Sequence, residues 1–481
     1  MSNSLKKNFI FNSIYSVSAF IFPLITYPYI SRVVQPSGVG AVSFATTFIS
    51  YFNMFAQLGI PTYGIKQVAK VRDSQEELNR TVKEIFSINI ITTVIAYVFL
   101  VISLLCIEKI RSDRVLIAII STTILLNTVG MEWLYKGIEK YQYIATRSLI
   151  FKVFSVFGLF MLVHSPEDYL IYGFISIFAS SASNILNFYN LNKYVSFKNV
   201  KARDYKRHLK PIMVFFAMTI ATTIYTSIDT IMIKFMQSKL EVGYYDAAIK
   251  VKTVLVTFIT SLGAVILPRS SYYVENDKMN DFNILINKSI NFVLIMSLSL
   301  MVYFIIFANE TIMVLSGNLY SKSVFPMQVI MPTLLFIGLS NLTGIQVLIP
   351  LNKEKYVLYS EILGAIVNVL TNCLLIPRLG IVGAAVGTTL AEFTVLLYQI
   401  ACIRLLKIEI NNKCDILKIL LSILVSSLIV IFIRNTLTTS HNILIIAITG
   451  VVYFFCYFIM LFILKHPFII SMFKDILRKF K

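Results

Sequence analysis

The sequence predicts an all-α polytopic membrane protein of about fourteen transmembrane helices, arranged as two six-helix lobes plus two C-terminal helices. Three observations predict it. Of the 481 residues, 57% are hydrophobic and only 14% charged, where soluble domains carry roughly a quarter charged residues. Apolar blocks near the ~20 residues needed to cross a bilayer core recur from end to end. Lys and Arg gather in alternate loops.

The first six blocks lie near 9–31, 39–60, 85–106, 115–133, 144–163 and 169–190, so residues 1–191 form an N-terminal lobe. A basic cytoplasmic linker, 192–210, follows. Blocks near 211–236, 247–268, 286–307, 326–350, 357–376 and 381–402 form a second lobe over 211–405. Two more, near 416–434 and 442–464, occupy 406–481 with a basic tail that carries Lys474, Arg478, Lys479 and Lys481. The first block is too long and polar-studded for a signal peptide and lacks a small-residue cleavage site, so it is expected to be retained.

A net charge of +19 in a soluble protein would point to nucleic acid. Here most of the 43 Lys and Arg residues fall on one side once both termini are placed in the cytoplasm. The basicity is then topological and calls for no nucleic acid. The expected location is a cell membrane, crossed many times with both termini cytoplasmic. Glu108, Lys109, Arg111, Asp113 and Arg114 read as a solvated outer loop. Cys106, Cys373, Cys402, Cys414 and Cys456 are scattered and odd in number, which predicts no disulfide framework. His164, His208, His441 and His466 show no metal-ligand spacing. Neither a metal nor a bound cofactor is expected.

No GxxxxGK[ST] loop occurs, which speaks against primary ATP-driven transport by this chain alone. The outer loops are short and no nucleophile–base arrangement stands out, which sets transport ahead of a membrane-embedded glycan polymerase or ligase.

Polar residues inside apolar blocks carry the site information, because lipid leaves them no partner. Spacings of three and four mark one helix face. The second block offers Ser43, Thr47, Ser50, Asn53 and Gln57; the sixth, Ser176, Ser180, Ser183 and Asn187. In the seventh, Thr219, Thr223, Thr226, Thr230 and Lys234 share a face, and in the eighth Asp246, Lys250, Thr253 and Thr257 do. A single stripe is explained by hydroxyls bonding their own helix. Four stripes, two with ionisable groups, point to a hydrated cavity lined by Arg32, Lys234, Lys250, Thr226, Thr230, Asn53 and Gln57. Arg32 and Lys234 can equally snorkel to the outer interface, and Asp246 can pair with Lys250 along its helix. Lys252 points away. Asp229, Asp246, Glu361 and Glu392 are candidates for binding a coupling H⁺ or Na⁺ or for pairing a lysine. Pro23, Pro28, Pro326 and Pro332 would bend the first and tenth spans.

An internal repeat supports two lobes. Ser31-Arg32-Val33-Val34-Gln35-Pro36-Ser37-Gly38-Val39-Gly40 joins spans one and two; Ile233-Lys234-Phe235-Met236-Gln237-Ser238-Lys239-Leu240-Glu241-Val242-Gly243 joins spans seven and eight. Each runs from a cation through Gln to Val-Gly.

These junctions carry a family resemblance. Tyr27-Pro28-Tyr29-Ile30-Ser31-Arg32 with Gly38-Val39-Gly40, Gly130-Met131-Glu132-Trp133-Leu134-Tyr135-Lys136-Gly137-Ile138-Glu139-Lys140-Tyr141, Val242-Gly243-Tyr244-Tyr245, Ile376-Pro377-Arg378-Leu379-Gly380-Ile381-Val382-Gly383-Ala384-Ala385 and Glu392 resemble Wzx-type polysaccharide flippases. That family lies in the multidrug/oligosaccharidyl-lipid/polysaccharide exporter superfamily. The stretch from Glu132 to Tyr141 is the most specific. The resemblance implies two lobes in a V that carry an undecaprenyl-pyrophosphate-linked oligosaccharide to the outer leaflet for capsule, O-antigen or other surface polysaccharide. It also implies that the last two helices help form a groove for the lipid tail, and that a polysaccharide polymerase and a chain-length regulator are partners. An ion-coupled multidrug or metabolite exporter of the same superfamily is the alternative. It is disfavoured because the first six spans hold no acid apart from Glu132.

Overall fold

Lipid supplies no hydrogen-bond partner, so each crossing segment must satisfy its backbone internally, and helices do so. The computed structural model describes residues 18, 22–197, 204–261, 263–406, 408, 415–437 and 441–479. Among them the regular structure is helical, with no strand. Among the described residues nine helices are long and apolar enough to cross a membrane, or ten when the pair Asn318–Ile330 and Thr333–Leu348, bent by 47°, is one span. The bend falls beside Pro332, in the span where prolines predict one. The fourth expected span is the shorter helix Arg114–Gly130. The seventh and eighth correspond to Lys206–Met236 and to Lys239–Thr260 with Gly263–Glu275. The first lies partly outside the described residues, as does part of the linker 192–210, and Cys414 lies wholly outside them.

Burial runs opposite to that of a soluble helix. Gln75–Cys106 exposes Ile91, Phe99 and Leu105 while it buries Glu84, Asn89 and Thr93. Only an apolar solvent tolerates that pattern, because inward-facing polar groups find partners and outward-facing ones would not.

By contacts the chain divides at Gly243 into Met1–Gly243 and Tyr244–Lys481. The division lies beyond the basic segment 192–210, because helix Lys206–Met236 packs on Gln35–Gln57 and Ile60–Val71 of the first unit. The chain turns between those two helices at Leu58 and Gly59, both with positive φ. A Cβ on Gly59 would stand 2.6 Å from the Phe216 nitrogen, so only glycine admits this approach. A buried cluster of Ile60, Tyr63, Val82, Ile85, Trp133 and Tyr135 cements the region.

In the second unit the last long helix, Asn442–Ile463, is stitched to Met279–Ile306. Tyr453 donates to the Ser299 carbonyl at 3.1 Å, and Tyr457, one turn on, to the Ile295 carbonyl, one turn back, at 3.0 Å. Tyr303 donates the other way, to the Ile446 carbonyl at 2.9 Å. At one end of this bundle Arg434 pairs with the buried Glu310 at 2.5 Å. The two C-terminal helices are therefore part of the second unit's packing.

Candidate functional site

The polar ribbons of the second and sixth spans converge inside the first unit. Asn53 accepts a hydrogen bond from Asn127 at 3.2 Å, and Asn127 accepts one from Asn184 at 3.1 Å. Arg147 donates to Asn184 at 3.0 Å and to Ser183 at 2.6 Å, and its other terminal nitrogen lies 3.4 Å from Glu132. Glu132 in turn pairs with Lys136 at 2.8 Å. Gln57 donates to Thr128 at 3.1 Å, and Thr128 shares a hydrogen bond with Thr93 at 2.7 Å. Five helical segments thus meet through one polar chain, from Asn53 through Asn127, Asn184 and the buried Arg147 guanidinium to Glu132. Arginine's planar fork suits such a node, since it satisfies several acceptors in fixed directions. Sequence reasoning passes over Arg147 and Asn127 because the groups they bond lie on other helices. A cation inside an expected span was the available signal.

The most specific motif has a structural explanation as well as a polar one. Met131 breaks the helix with φ +39° and starts the short helix Glu132–Gly137. Trp133 packs so tightly on Gly64 that a Cβ there would lie 2.6 Å from its ring. Tyr135 donates to the Asn187 carbonyl at 2.5 Å.

A second site lies at the end of helix Lys206–Met236. Lys234 is nearly buried, bonds Asp113 at 2.8 Å and rests over the Phe44 ring at 5.4 Å. Lys239 approaches the other oxygen of Asp113 at 3.7 Å and lies over Tyr169 at 5.8 Å. Asp113 is fully buried, which corrects its reading as part of a solvated loop: two lysines from distant segments replace its water. Lys109 donates to the Phe235 carbonyl at 2.7 Å. Arg32 is exposed and caps the Pro28 carbonyl of its own helix at 2.5 Å. Lys250 and Asp246 are half-buried. Thr219 bonds its own helix at the Phe215 carbonyl, and Thr226 reaches Thr223 and Ser227. Thr219 and Thr226 thus each bond a carbonyl of their own helix, as hydroxyls in a helix do. Thr230 is half-buried and Asp229 buried.

A third cluster surrounds Glu84, whose side chain is fully buried. It accepts from Arg80 at 3.1 Å, the Asp204 backbone at 3.2 Å, Arg207 at 2.7 and 3.0 Å and His208 at 2.9 Å. Tyr63 closes the network on His208 at 2.6 Å. Burial pushes the His208 imidazole below its ordinary pKa, ahead of the opposing pull of Glu84.

In the second unit Glu392 is buried and Glu361 half-buried. Asn368 and Asn372 bond each other at 3.0 Å, as their shared face predicts. Thr388 bonds Tyr245 at 3.0 Å. Gln399 joins Thr343 at 2.6 Å to Ser360 at 3.0 Å. Among the described residues no group of three His, Cys, Asp or Glu could hold a metal.

Comparison with known proteins turns this geometry into a family. A family model described as polysaccharide biosynthesis protein matches residues 5–274. The chain belongs to the polysaccharide biosynthesis protein family. A relative of this family member is the protein named "Putative O-antigen transporter" of Escherichia coli (strain K12), 24% identical over 415 residues, which cover 85% of this chain and 98% of that one. The fold is similar to that of the lipid II flippase MurJ in an inward closed conformation, with a TM-score of 0.74 at 16% identity over 95% of this chain and 100% of that chain. It is also similar to an inward-facing multidrug resistance MATE family transporter of the MOP superfamily, with a TM-score of 0.61 at 14% identity over 80% and 94% of the two chains. The polysaccharide biosynthesis family member is thus a multi-pass membrane protein whose fold is similar to those of these two proteins.

Proposed function

We propose that this chain is a flippase that moves an undecaprenyl-pyrophosphate-linked oligosaccharide from the cytoplasmic to the outer leaflet of a bacterial membrane by alternating access. The observation that carries the reading is the family match to residues 5–274, joined to a fold similar to that of a lipid II flippase. The physics agrees. Each sugar hydroxyl costs several kcal/mol to bury without a partner, so an oligosaccharide crosses lipid only through a hydrated path. Its pyrophosphate needs cationic donors, and Arg32 and Lys250 are the cations we assign to it, with Thr226, Thr230, Asn53 and Gln57 on the sugar path. Lys234 is assigned to the same anion once it leaves Asp113. The lipid tail stays in the bilayer. A polymerase and a chain-length regulator would receive the product at the outer face.

The test is deletion of the gene followed by analysis of lipid-linked glycans. Repeat units should accumulate on the cytoplasmic side and reach the surface again when the chain is restored. Unchanged surface polysaccharide, with altered export of a soluble drug or metabolite, would replace the reading by the exporter alternative.

A further inference from the structure

The two junctions that match in sequence also touch. Gly40 is the fourth residue after Pro36, as Gly243 is the fourth after Lys239. A Cβ on Gly40 would overlap the carbonyl oxygen of Lys239 and stand 2.6 Å from the Gly243 nitrogen. A Cβ on Gly243 would overlap the carbonyl oxygen of Pro36 and stand 2.7 Å from its carbon. The contact is reciprocal: each glycine meets the residue equivalent to the one its counterpart meets. All four residues belong to the first unit. Backbone rests on backbone, which small residues permit in membrane bundles and any side chain prevents.

Beside this seam Asp113 holds Lys234 at 2.8 Å and Lys239 at 3.7 Å, one on each carboxylate oxygen. Lys239 thus supplies a carbonyl to the seam and an ammonium to Asp113. Phe44, on the helix of Gly40 and one turn further along it, lies under Lys234.

We propose that the matched junctions form a latch, closed by the Gly40–Gly243 backbone contact and fastened by Asp113 as the positioning residue for Lys234 and Lys239. The latch parts when the transporter opens outward. This step rests on the reading of the chain as an alternating-access transporter and is independent of its cargo. A methyl group at either glycine forces the junctions apart by about 1 Å or more to restore ordinary contact. Replacing Asp113 by Asn removes the charge that holds two ammonium groups while keeping its shape.

The test is a cysteine at Ser43, one turn beyond Gly40 on the polar ribbon, in a chain with its native cysteines removed. It is probed in whole cells with a membrane-impermeant thiol reagent added outside. Labelling should be slow in the parent. It should rise on the order of tenfold in Gly40→Ala, Gly243→Ala and Asp113→Asn, the factor that corresponds to about 1.4 kcal/mol removed from the closed state. Gly158→Ala, where a Cβ meets nothing within 4 Å, should label like the parent. Unchanged labelling in all three variants at parental levels of folded protein overturns the latch. If the glycine variants fail to accumulate in the membrane, Asp113→Asn decides alone. No cargo is needed for labelling, so a failed flipping assay with positive labelling rejects the proposed substrate and leaves the latch standing.

Discussion

Removing the Glu84 carboxylate is expected to loosen the first unit, and the surrounding geometry sets the size of the effect. Five N–H donors from Arg80, Asp204, Arg207 and His208 point at two oxygens whose side chain is fully buried. Breaking a buried ion pair from one side costs about 3–5 kcal/mol, because the remaining charge is stranded. Arg80 and Arg207 have side chains 32% and 36% exposed, so water can recover them in part and the lower figure applies. Glu84→Gln should cost nearly as much as Glu84→Ala, since an amide presents its own N–H groups to donors. His208 can respond by changing tautomer; Arg207 cannot. At about 2–4 °C per kcal/mol for a unit of this size, ~3 kcal/mol lowers the unfolding midpoint by roughly 6–12 °C. The assay is intrinsic fluorescence of detergent-purified protein during heating. Its only tryptophan, Trp133, lies in the same buried cluster as Tyr63 and Ile85. A contrasting variant, Glu139→Gln, breaks the exposed Arg72–Glu139 pair at 2.6 Å and should change the midpoint little. Midpoints within about 2 °C of the parent for both Glu84 variants would refute the argument that this buried carboxylate anchors the start of helix Lys206–Met236.

The same cluster predicts a pH dependence. Because the folded-state pKa of His208 lies below its ordinary value, the stability it contributes is complete above pH ~6.5 and is lost as pH falls through the folded value. The unfolding midpoint should therefore drop between pH 7 and pH 5, and drop less in His208→Gln. Arg147→Lys should reduce both stability and transport, because an ammonium cannot serve Ser183, Asn184 and Glu132 together as the guanidinium does; parental flipping in vesicles would contradict the node's role. Arg32→Gln and Lys250→Gln should slow flipping of a lipid-linked oligosaccharide more than Lys252→Gln, and equal mild losses would assign all three to the membrane interface. Export of a doubly charged diphosphate from a negative cytoplasm should be driven by membrane potential, with up to ~5 kcal/mol per 100 mV at roughly 2.3 kcal/mol per charge. A K⁺/valinomycin potential without a pH or Na⁺ gradient should then accelerate flipping, whereas dependence on those gradients alone would assign coupling to Asp229, Asp246, Glu361 or Glu392.

The helices and their orientation toward lipid were legible in the sequence. Apolar blocks of bilayer length must be helical, and spacings of three and four place Asn53, Gln57, Ser183 and Asn187 inward without any knowledge of neighbours. The matched junctions ending in Val39-Gly40 and Val242-Gly243 were legible too. What sequence could not supply was which inward-facing groups meet. Asp113 and Lys234 stand 121 positions apart and Glu84 and Arg207 stand 123 apart, so local periodicity says nothing of either pair. Asp113 looked solvated because its sequence neighbours are charged, and only the approach of two distant helix ends buried it. Arg147 and Asn127 gave no stripe because their partners lie on other helices. In lipid, a helix's own pattern decides which face avoids the solvent, whereas packing of helices distant in sequence decides which polar group answers which, and the reactive chemistry of the chain lives in those pairings.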